Sequence, residues 1–253
     1  LPIEHPPEAI EQAILKRLKV DAKDLIESIV FKRSYDARKN VALAFIYTVD
    51  VSVKNEEAIL KRFANDPNIR ISPDTQYHFV AQAPDTLATS FMRPVVIGFG
   101  PCGIFAALLL AQMGLRPIVL ERGKQVRERT QDTWGLWRKN KLDPESNVQF
   151  GEGGAGTFSD GKLWSQIKDP KFYGRKVLHE FVKAGAPAEI LYVAKPHIGT
   201  FRLVGVVEKM REEIIRLGGE ILFSHKVIGF DIQDEAIQAI KIEGHADLPA
   251  NHV

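Results

Sequence analysis

Along the first third of the chain the apolar positions switch between helical and strand spacing. After Pro6-Pro7, Ile10, Ile14, Leu15 and Leu18 recur at helical intervals and predict an amphipathic helix that begins near Glu8. Residues 28–35 and 41–53 are rich in β-branched and aromatic side chains, and the polar stretch 36–40 between them makes the pair a hairpin. Asn55 is placed to cap a second helix, with Glu56 and Glu57 in its first turn and Ile59, Leu60 and Phe63 on its buried face. Residues 76–80 supply a further strand, and residues 1–3 read as the remnant of a first one. The order βαββαβ is that of a small ferredoxin-like α+β domain over residues 1–82, followed by a linker at 83–93.

From Pro94 to the end, residues 94–253, the pattern becomes strand, glycine turn and helix, the start of a parallel-sheet α/β fold. Val95 to Ile97 reads as a short buried strand and residues 103–113 as a helix, which Gly114 ends in the left-handed conformation. Residues 117–120 form the next buried strand. Leu203, Val206, Val207, Met210, Ile214 and Leu217 mark an amphipathic helix that Gly218-Gly219 terminates, with a strand at 220–224 after it. Residues 227–232 and 236–242 read as another strand pair, and His252-Val253 as the beginning of one more.

Composition narrows the class. A chain of 253 residues with 45% hydrophobic and 26% charged positions has the profile of a two-domain globular protein, able to bury a core in each domain. Apolar runs are broken well before transmembrane length and the first residues lack the regions of a signal peptide, so a cytoplasmic location without membrane attachment is expected. A formal charge of +2 does not call for nucleic acid, and one cysteine, Cys102, excludes a paired-thiol redox centre within this segment. The seven histidines are dispersed and show no metal spacing.

Gly98-Phe99-Gly100-Pro101-Cys102-Gly103 matches G-x-G-x-x-G directly after a strand and at the opening of a helix, the context that gives this motif its weight. Gly98 permits the tight turn, Gly100 lets the backbone approach a pyrophosphate, and Gly103 lets the helix pack closely on the strand. The helix N-terminus offers unpaired N–H groups and about half a positive charge to a diphosphate. Glu121, 18 residues after Gly103 at the end of the second strand, can accept hydrogen bonds from both ribose hydroxyls and would repel a 2′-phosphate. Cys102 is expected to pack as a small apolar side chain. A second run, Gly151-Glu152-Gly153-Gly154-Ala155-Gly156-Thr157-Phe158-Ser159-Asp160-Gly161-Lys162-Leu163, suits backbone amides folded around phosphate or flavin oxygens, with a flexible linker as the alternative on composition alone.

Val95 to Gly123, with Gly98, Gly100, Gly103, Gly114, Glu121 and Arg122, resembles the FAD domain of the glutathione-reductase superfamily. The run from Gly153 to Leu163, together with Lys195-Pro196-His197-Ile198-Gly199-Thr200 and the basic hairpin Arg33-Ser34-Tyr35-Asp36-Ala37-Arg38-Lys39, resembles a narrower group, the uncharacterised bacterial FAD-dependent dehydrogenases. The resemblance implies that Glu121 holds the adenosine ribose and that Arg122 lies beside the adenosine. It also implies that Gly153, Gly154, Ala155 and Gly156 approach the pyrophosphate and flavin, and that the Val227 backbone meets the adenine edge. Members of that group continue past the equivalent of Val253 with a strand and glycine turn that close the FAD site, a substrate domain and a last flavin-contacting segment. This sequence is therefore expected to hold the N-terminal part of the FAD-binding Rossmann-type domain, with the ADP half of the site.

The expected activity is that of an FAD-dependent oxidoreductase acting on a small molecule, with NAD(P)H as a possible electron donor. Lys162 is either a source of positive charge near the flavin N1/C2 oxygen or an ordinary phosphate or surface lysine. His197 is either a substrate-side acid or base or a structural histidine. Ser159 and Asp160 are expected to hold the loop by local hydrogen bonds. Trp134 and Trp137 are expected to anchor a helix in the core or at a domain interface, with a substrate platform as the other use. The basic hairpin, Lys32, Arg33, Arg38 and Lys39, is a solvated turn or, in the alternative function, a nucleic-acid docking module. A non-catalytic dinucleotide sensor is the third possibility.

Overall fold

The computed structural model describes residues 1–38, 42–84 and 91–253, so residues 39–41 of the expected hairpin turn, Lys39 among them, and residues 85–90 of the expected linker lie outside the described residues. The chain divides into two compact units. The first holds Leu1–Gln76 and also Trp164–Arg175 and Ala188–Pro196; the second holds Tyr77–Leu163, Lys176–Pro187 and His197–Val253. A single cut at 83–93 does not describe this division. Residues 188–196 join the first unit because the Arg33 amide donates to the Tyr192 carbonyl at 2.7 Å and the Arg33 carbonyl accepts the Ala194 amide at 3.0 Å.

In the first unit, α1 (Glu8–Leu18) buries Ile14 and α2 (Glu56–Arg62) buries Ile59. Arg62 donates to the carbonyls of Leu18 and Lys19, where the end of α1 leaves acceptors without helical partners. Strands β1 (Leu25–Asp36) and β2 (Ala44–Val53) pair antiparallel, with Leu25 opposite Val53 and Asp36 opposite Ala44. Asn55 precedes α2 in the left-handed region (φ 57°) and makes no side-chain cap; its carbonyl accepts the Ala58 and Ile59 amides instead.

The ferredoxin-like sheet is not found among the described residues, where β1 and β2 form a sheet of two strands. Residues 1–3 contribute one bridge, Pro2 with Ala44, and proline has no amide to extend a ladder. Residues 76–80 form no strand. Their alternating aromatics serve a different contact: Tyr77 and Phe79 meet edge to face, and Lys176 Nζ lies 5.5 and 5.1 Å from the two ring centres.

In the second unit, β3 (Val95–Ile97), β4 (Ile118–Glu121) and β5 (Glu220–Phe223) form a parallel sheet in that order, with Val95 beside Ile118 and Ile118 beside Glu220. The crossover between the parallel strands β3 and β4 is supplied by α3 (Pro101–Gln112). Met113 caps α3, and Gly114 follows at φ 82°. Between β4 and β5 the chain makes α4 (Val126–Lys139), α5 (Tyr173–Lys183), of which Lys176 onward belongs to this unit, and α6 (Thr200–Arg216). Strands β6 (Val227–Gln233), β7 (Ala236–Ile242) and β8 (Leu248–Pro249) make an antiparallel meander; the expected strand at His252-Val253 is not formed. Val95, Leu120, Ile240, Ile242 and Ala250 form a core cluster that joins the two sheets. Ile97, expected in the core, is 43% exposed at the end of the edge strand β3. No described helix is long and apolar enough to cross a membrane.

Candidate dinucleotide site

The turn after β3 is held from below and left open in front. Gly98 adopts φ 91° and donates to the Leu120 carbonyl at 2.7 Å, which fixes the turn to the neighbouring strand. A Cβ on Gly103 would fall 1.9 Å from the Gly98 carbonyl oxygen, so helix and turn approach at a distance that only glycine permits. Gly100, the N-cap of α3, brings no side-chain cap, and Pro101 stands at the first helical position. The amides of the first turn, including those of Cys102 and Gly103, therefore have no intrahelical acceptor. A Cβ on Gly98 would meet nothing within 4 Å and one on Gly100 only the Gly154 Cα at 3.8 Å. Cys102 and Pro101 are exposed on the open rim of the turn, so Cys102 is not packed away as the small apolar side chain expected there.

The second glycine loop lies against the first. The Gly153 amide donates to the Phe99 carbonyl at 2.8 Å. A Cβ on Gly154 would sit 3.2 Å from the Gly100 Cα, while one on Gly123 would sit 2.5 Å from the Gly151 Cα. Gly151, Gly153 and Gly154 all have positive φ, at 116°, 82° and 59°. Gly154 opens a short 3-10 turn, Ala155–Phe158, again without a side-chain cap. Two uncapped turns thus stand beside each other, with exposed Ala155 and half-buried Gly156 on the second.

Glu121 is buried and works on the backbone. Its Oε2 accepts the Phe99 amide at 2.7 Å, and its Oε1 accepts Gly123 and Gly151 at 2.8 and 3.0 Å. One carboxylate ties the fingerprint turn, the end of β4 and the second glycine loop together. This backbone role is additional to the ribose contact expected of Glu121, and its amide partners carry no signal in the sequence. Arg122 forms an ion pair with Glu145 and lies 3.8 Å over the Phe150 ring. Lys226 also pairs with Glu145, at 3.1 Å. Val227 begins β6 and packs against the core cluster, while the chain just before it is fixed by the Ser224 amide on the Gly123 carbonyl and the His225 amide on the Glu121 carbonyl.

Two further buried charges were not legible in the sequence. Arg129, with no exposed surface, donates from Nε to Asn147, from Nη2 to Val148 and from Nη1 to Glu152, all to carbonyls at 2.6–2.7 Å. Burial lowers its pKa to about 10, against the pull of Glu121 and Glu152. The fully buried Glu152 side chain accepts the Val126 amide at 2.7 Å, at the start of α4, and Arg211 Nη1 at 2.8 Å. Its pKa is raised by burial, which outweighs the Val126 hydrogen bond and the charge of Arg211.

Lys162 and His197, singled out separately, are brought together. They form an antiparallel bridge in which both side chains are exposed, and Ile198 donates to the Gly161 carbonyl at 3.1 Å. Lys162 Nζ lies 3.6 Å from Asp160. Ser159 holds the loop locally, donating to the Gly156 carbonyl and accepting the Gly161 amide. Trp134 and Trp137 are 48% and 59% exposed and do not anchor a core, because α4 buries Val126, Arg129 and Thr133 instead. Arg138 covers Trp134, and Trp137 meets Phe158 edge to face at 5.9 Å. In the first unit the Arg33 guanidinium lies 4.9 Å from the Phe45 ring centre and 5.1 Å from that of Tyr192, and Arg38 pairs with Asp36 at 2.6 Å.

Residues 1–52 match the model of a family described as a domain of unknown function, DUF8436. A protein of Clostridium beijerinckii (strain ATCC 51743 / NCIMB 8052), described as uncharacterized, is 44% identical over 235 residues, which cover 93% of this chain and 43% of that protein. The dual trans-enoyl reductase/FAD-dependent monooxygenase tazHJ of Aspergillus terreus is 30% identical over 193 residues, covering 68% of this chain and 27% of that protein. The chain thus spans less than half the length of these curated relatives. Among solved structures, it is similar to Thermovibrio ammonificans THI4 (14% identity, TM-score 0.38, 64% of this chain and 54% of that one) and to L-proline dehydrogenase from P. horikoshii (15%, 0.32, 62% and 50%). Likeness at these scores extends no activity to this chain.

Proposed function

We propose that this chain is the dinucleotide-binding part of an FAD-dependent oxidoreductase that acts on a small molecule. The observation that carries the reading is the contact between the two uncapped glycine turns at the carboxyl end of β3, where Gly153 bonds to Phe99 and Gly154 faces Gly100. Ligands of open α/β sheets bind at this edge, and a diphosphate is the group that a helix start and clustered amides favour. The residues fit FAD. The space before Gly98 and Gly100 is open, and no side chain caps either turn. The relative in Aspergillus terreus carries an FAD-dependent monooxygenase in its description, which favours a flavin over a free nicotinamide nucleotide.

When bound, the flavin supplies hydride transfer, and the protein contributes placement, charge and exclusion of water. The amides of Gly100, Cys102 and Gly103 and those of Ala155 and Gly156 would hold the diphosphate, with Pro101, Cys102 and Ala155 on the rim. Three backbone amides occupy the Glu121 carboxylate, which leaves one of its four lone-pair sites for a ribose hydroxyl. Arg122, steadied by Glu145, and the Val227 backbone bound the adenosine side. Lys162 and His197, on one side of their bridge, offer a cation and a proton-transferring group to the substrate. A nucleic-acid role for the basic hairpin gains no support, since aromatic rings and an aspartate already occupy Arg33 and Arg38.

The test is the visible spectrum of the purified full-length protein, followed by anaerobic mixing with NADH and with NADPH. Flavin bands that bleach with one nicotinamide support an oxidoreductase. Bands that neither donor bleaches would turn the reading toward a sensor, and absence of flavin even after added FAD removes it.

A further inference from the structure

Helix α4 buries a cation where an apolar residue would pack more cheaply. Among the described residues the Arg129 guanidinium has no direct ion-pair partner; its hydrogen bonds go to the carbonyls of Asn147, Val148 and Glu152, with the Thr157 hydroxyl at 3.4 Å and the Phe158 ring centre 4.8 Å from Cζ. Taking a charge out of water costs several kcal/mol unless its donors are met, and replacement by a well-packed apolar side chain is often neutral or better for stability. A planar fork of five N–H groups does one thing no apolar side chain can: it gathers carbonyls from separate peptides into one plane.

Those carbonyls belong to the approach to the second glycine loop. The chain passes so close that a Cβ on Gly151 would lie 2.4 Å from Arg129 Cδ. The Glu152 carbonyl that Arg129 holds and the Gly153 amide that reaches the Phe99 carbonyl belong to one planar peptide, and Gly154 then faces Gly100. The Glu152 side chain ties the same segment back to α4 through Val126 and to α6 through Arg211. The height of one glycine turn over the other is thus set from α4.

We propose that Arg129 is a positioning residue of the dinucleotide site, which holds residues 151–156 against residues 98–103 so that the free amides of both turns converge on one diphosphate. This inference rests on the FAD reading above. Its test uses the full-length protein with Arg129→Ala and Arg129→Lys, a fluorescence titration with FAD, and amide hydrogen exchange with and without guanidinium ion below denaturing concentration.

In Arg129→Ala the FAD dissociation constant rises by about tenfold or more, exchange quickens at residues 151–158, and β3, β4 and α6 keep wild-type protection. Added guanidinium restores both the affinity and the slow exchange. Arg129→Lys, with a point charge in place of the fork, recovers less than guanidinium does. If Arg129→Ala does not fold, Arg129→Lys decides alone: weakened FAD binding at wild-type melting temperature supports the assignment, and unchanged binding overturns it. FAD affinity in Arg129→Ala within about twofold of wild type overturns it as well. So does loss of protection throughout the second unit without rescue by guanidinium. Wild-type protein that takes up no FAD overturns the functional reading itself, whereas wild-type uptake beside an indifferent Arg129→Ala overturns only this inference.

Discussion

The Glu121 carboxylate accepts the Phe99 amide at 2.7 Å, inside the turn between the first two glycines of the fingerprint. The same group receives the amides of Gly123 and Gly151, so a residue expected at the ribose also fastens three stretches of backbone. Its burial makes sense on this basis: a carboxylate inside a protein persists when backbone donors surround it.

Glu121→Gln tests that role. The amide side chain keeps one acceptor oxygen and turns a donor toward at least one of the three N–H groups, which costs about 1–3 kcal/mol for a buried unsatisfied group. The expected result is a lower urea midpoint with an unchanged slope, together with weaker FAD binding, because the turn and the second loop lose a shared anchor. A variant as stable as wild type would mean that Glu121 holds nothing essential.

Gly100 and Gly103 differ in what a methyl group would meet, so their alanine variants separate fold from ligand. At Gly103 the new Cβ lies 1.9 Å from the Gly98 carbonyl oxygen and the backbone must shift; Gly103→Ala is expected to lose about 1–3 kcal/mol. At Gly100 the nearest atom is 3.8 Å away and φ is −76°, so Gly100→Ala stays within about 0.5 kcal/mol of wild type in stability. Affinity for FAD nevertheless falls in Gly100→Ala and vanishes in Gly100→Val, where the branched side chain reaches into diphosphate space. Titration with FAD next to urea unfolding distinguishes the two positions.

The parts of this arrangement that the sequence makes legible are those set by local physics. β3, the glycine turn and α3 follow from an apolar triplet, three glycines and a helical apolar run, and α6 from Leu203, Val206, Val207, Met210 and Ile214. Helix α5 was legible and is absent from the sequence-based elements: Val177, Leu178, Phe181 and Val182 recur at helical spacing. Arg129 and Glu152 could not be found this way, because their partners are backbone groups and side chains brought together only by folding. The strand expected at residues 76–80 failed for a related reason. Tyr77 and Phe79 alternate as strand residues do, yet what they cover is the ammonium group of Lys176 rather than a sheet neighbour.

Arg33 separates the two uses considered for the basic hairpin. Its guanidinium approaches the rings of Phe45 and Tyr192, while its amide and carbonyl bond to Tyr192 and Ala194. Arg33→Met keeps the backbone bonds and the bulk of the side chain and removes the charge. It is expected to destabilise the first unit by about 0.5–2 kcal/mol, read by urea unfolding. Changing Lys32, Arg33 and Arg38 together should leave retention on an RNA column as it was; a clear drop would revive the nucleic-acid reading.

Two buried glutamates respond to pH in opposite directions. Burial raises the pKa of Glu180, but Lys176 at 2.8 Å and Lys183 at 2.9 Å outweigh it and hold the carboxyl below its ordinary range. Its contribution is therefore complete above the unfolded value of 4.5 and disappears as pH falls through the lower folded value. Glu152 is dominated by burial and titrates above its ordinary range, so it favours the folded state most below 4.5 and loses that contribution as pH rises through its raised value. Melting curves between pH 3 and pH 8 should show Glu180→Gln less sensitive to acid than wild type. Glu152→Gln, which keeps an oxygen for the Val126 amide and sheds a buried charge, should gain on wild type as pH rises toward neutrality. Parallel melting profiles for both variants and wild type would remove the assigned roles of these two carboxyls.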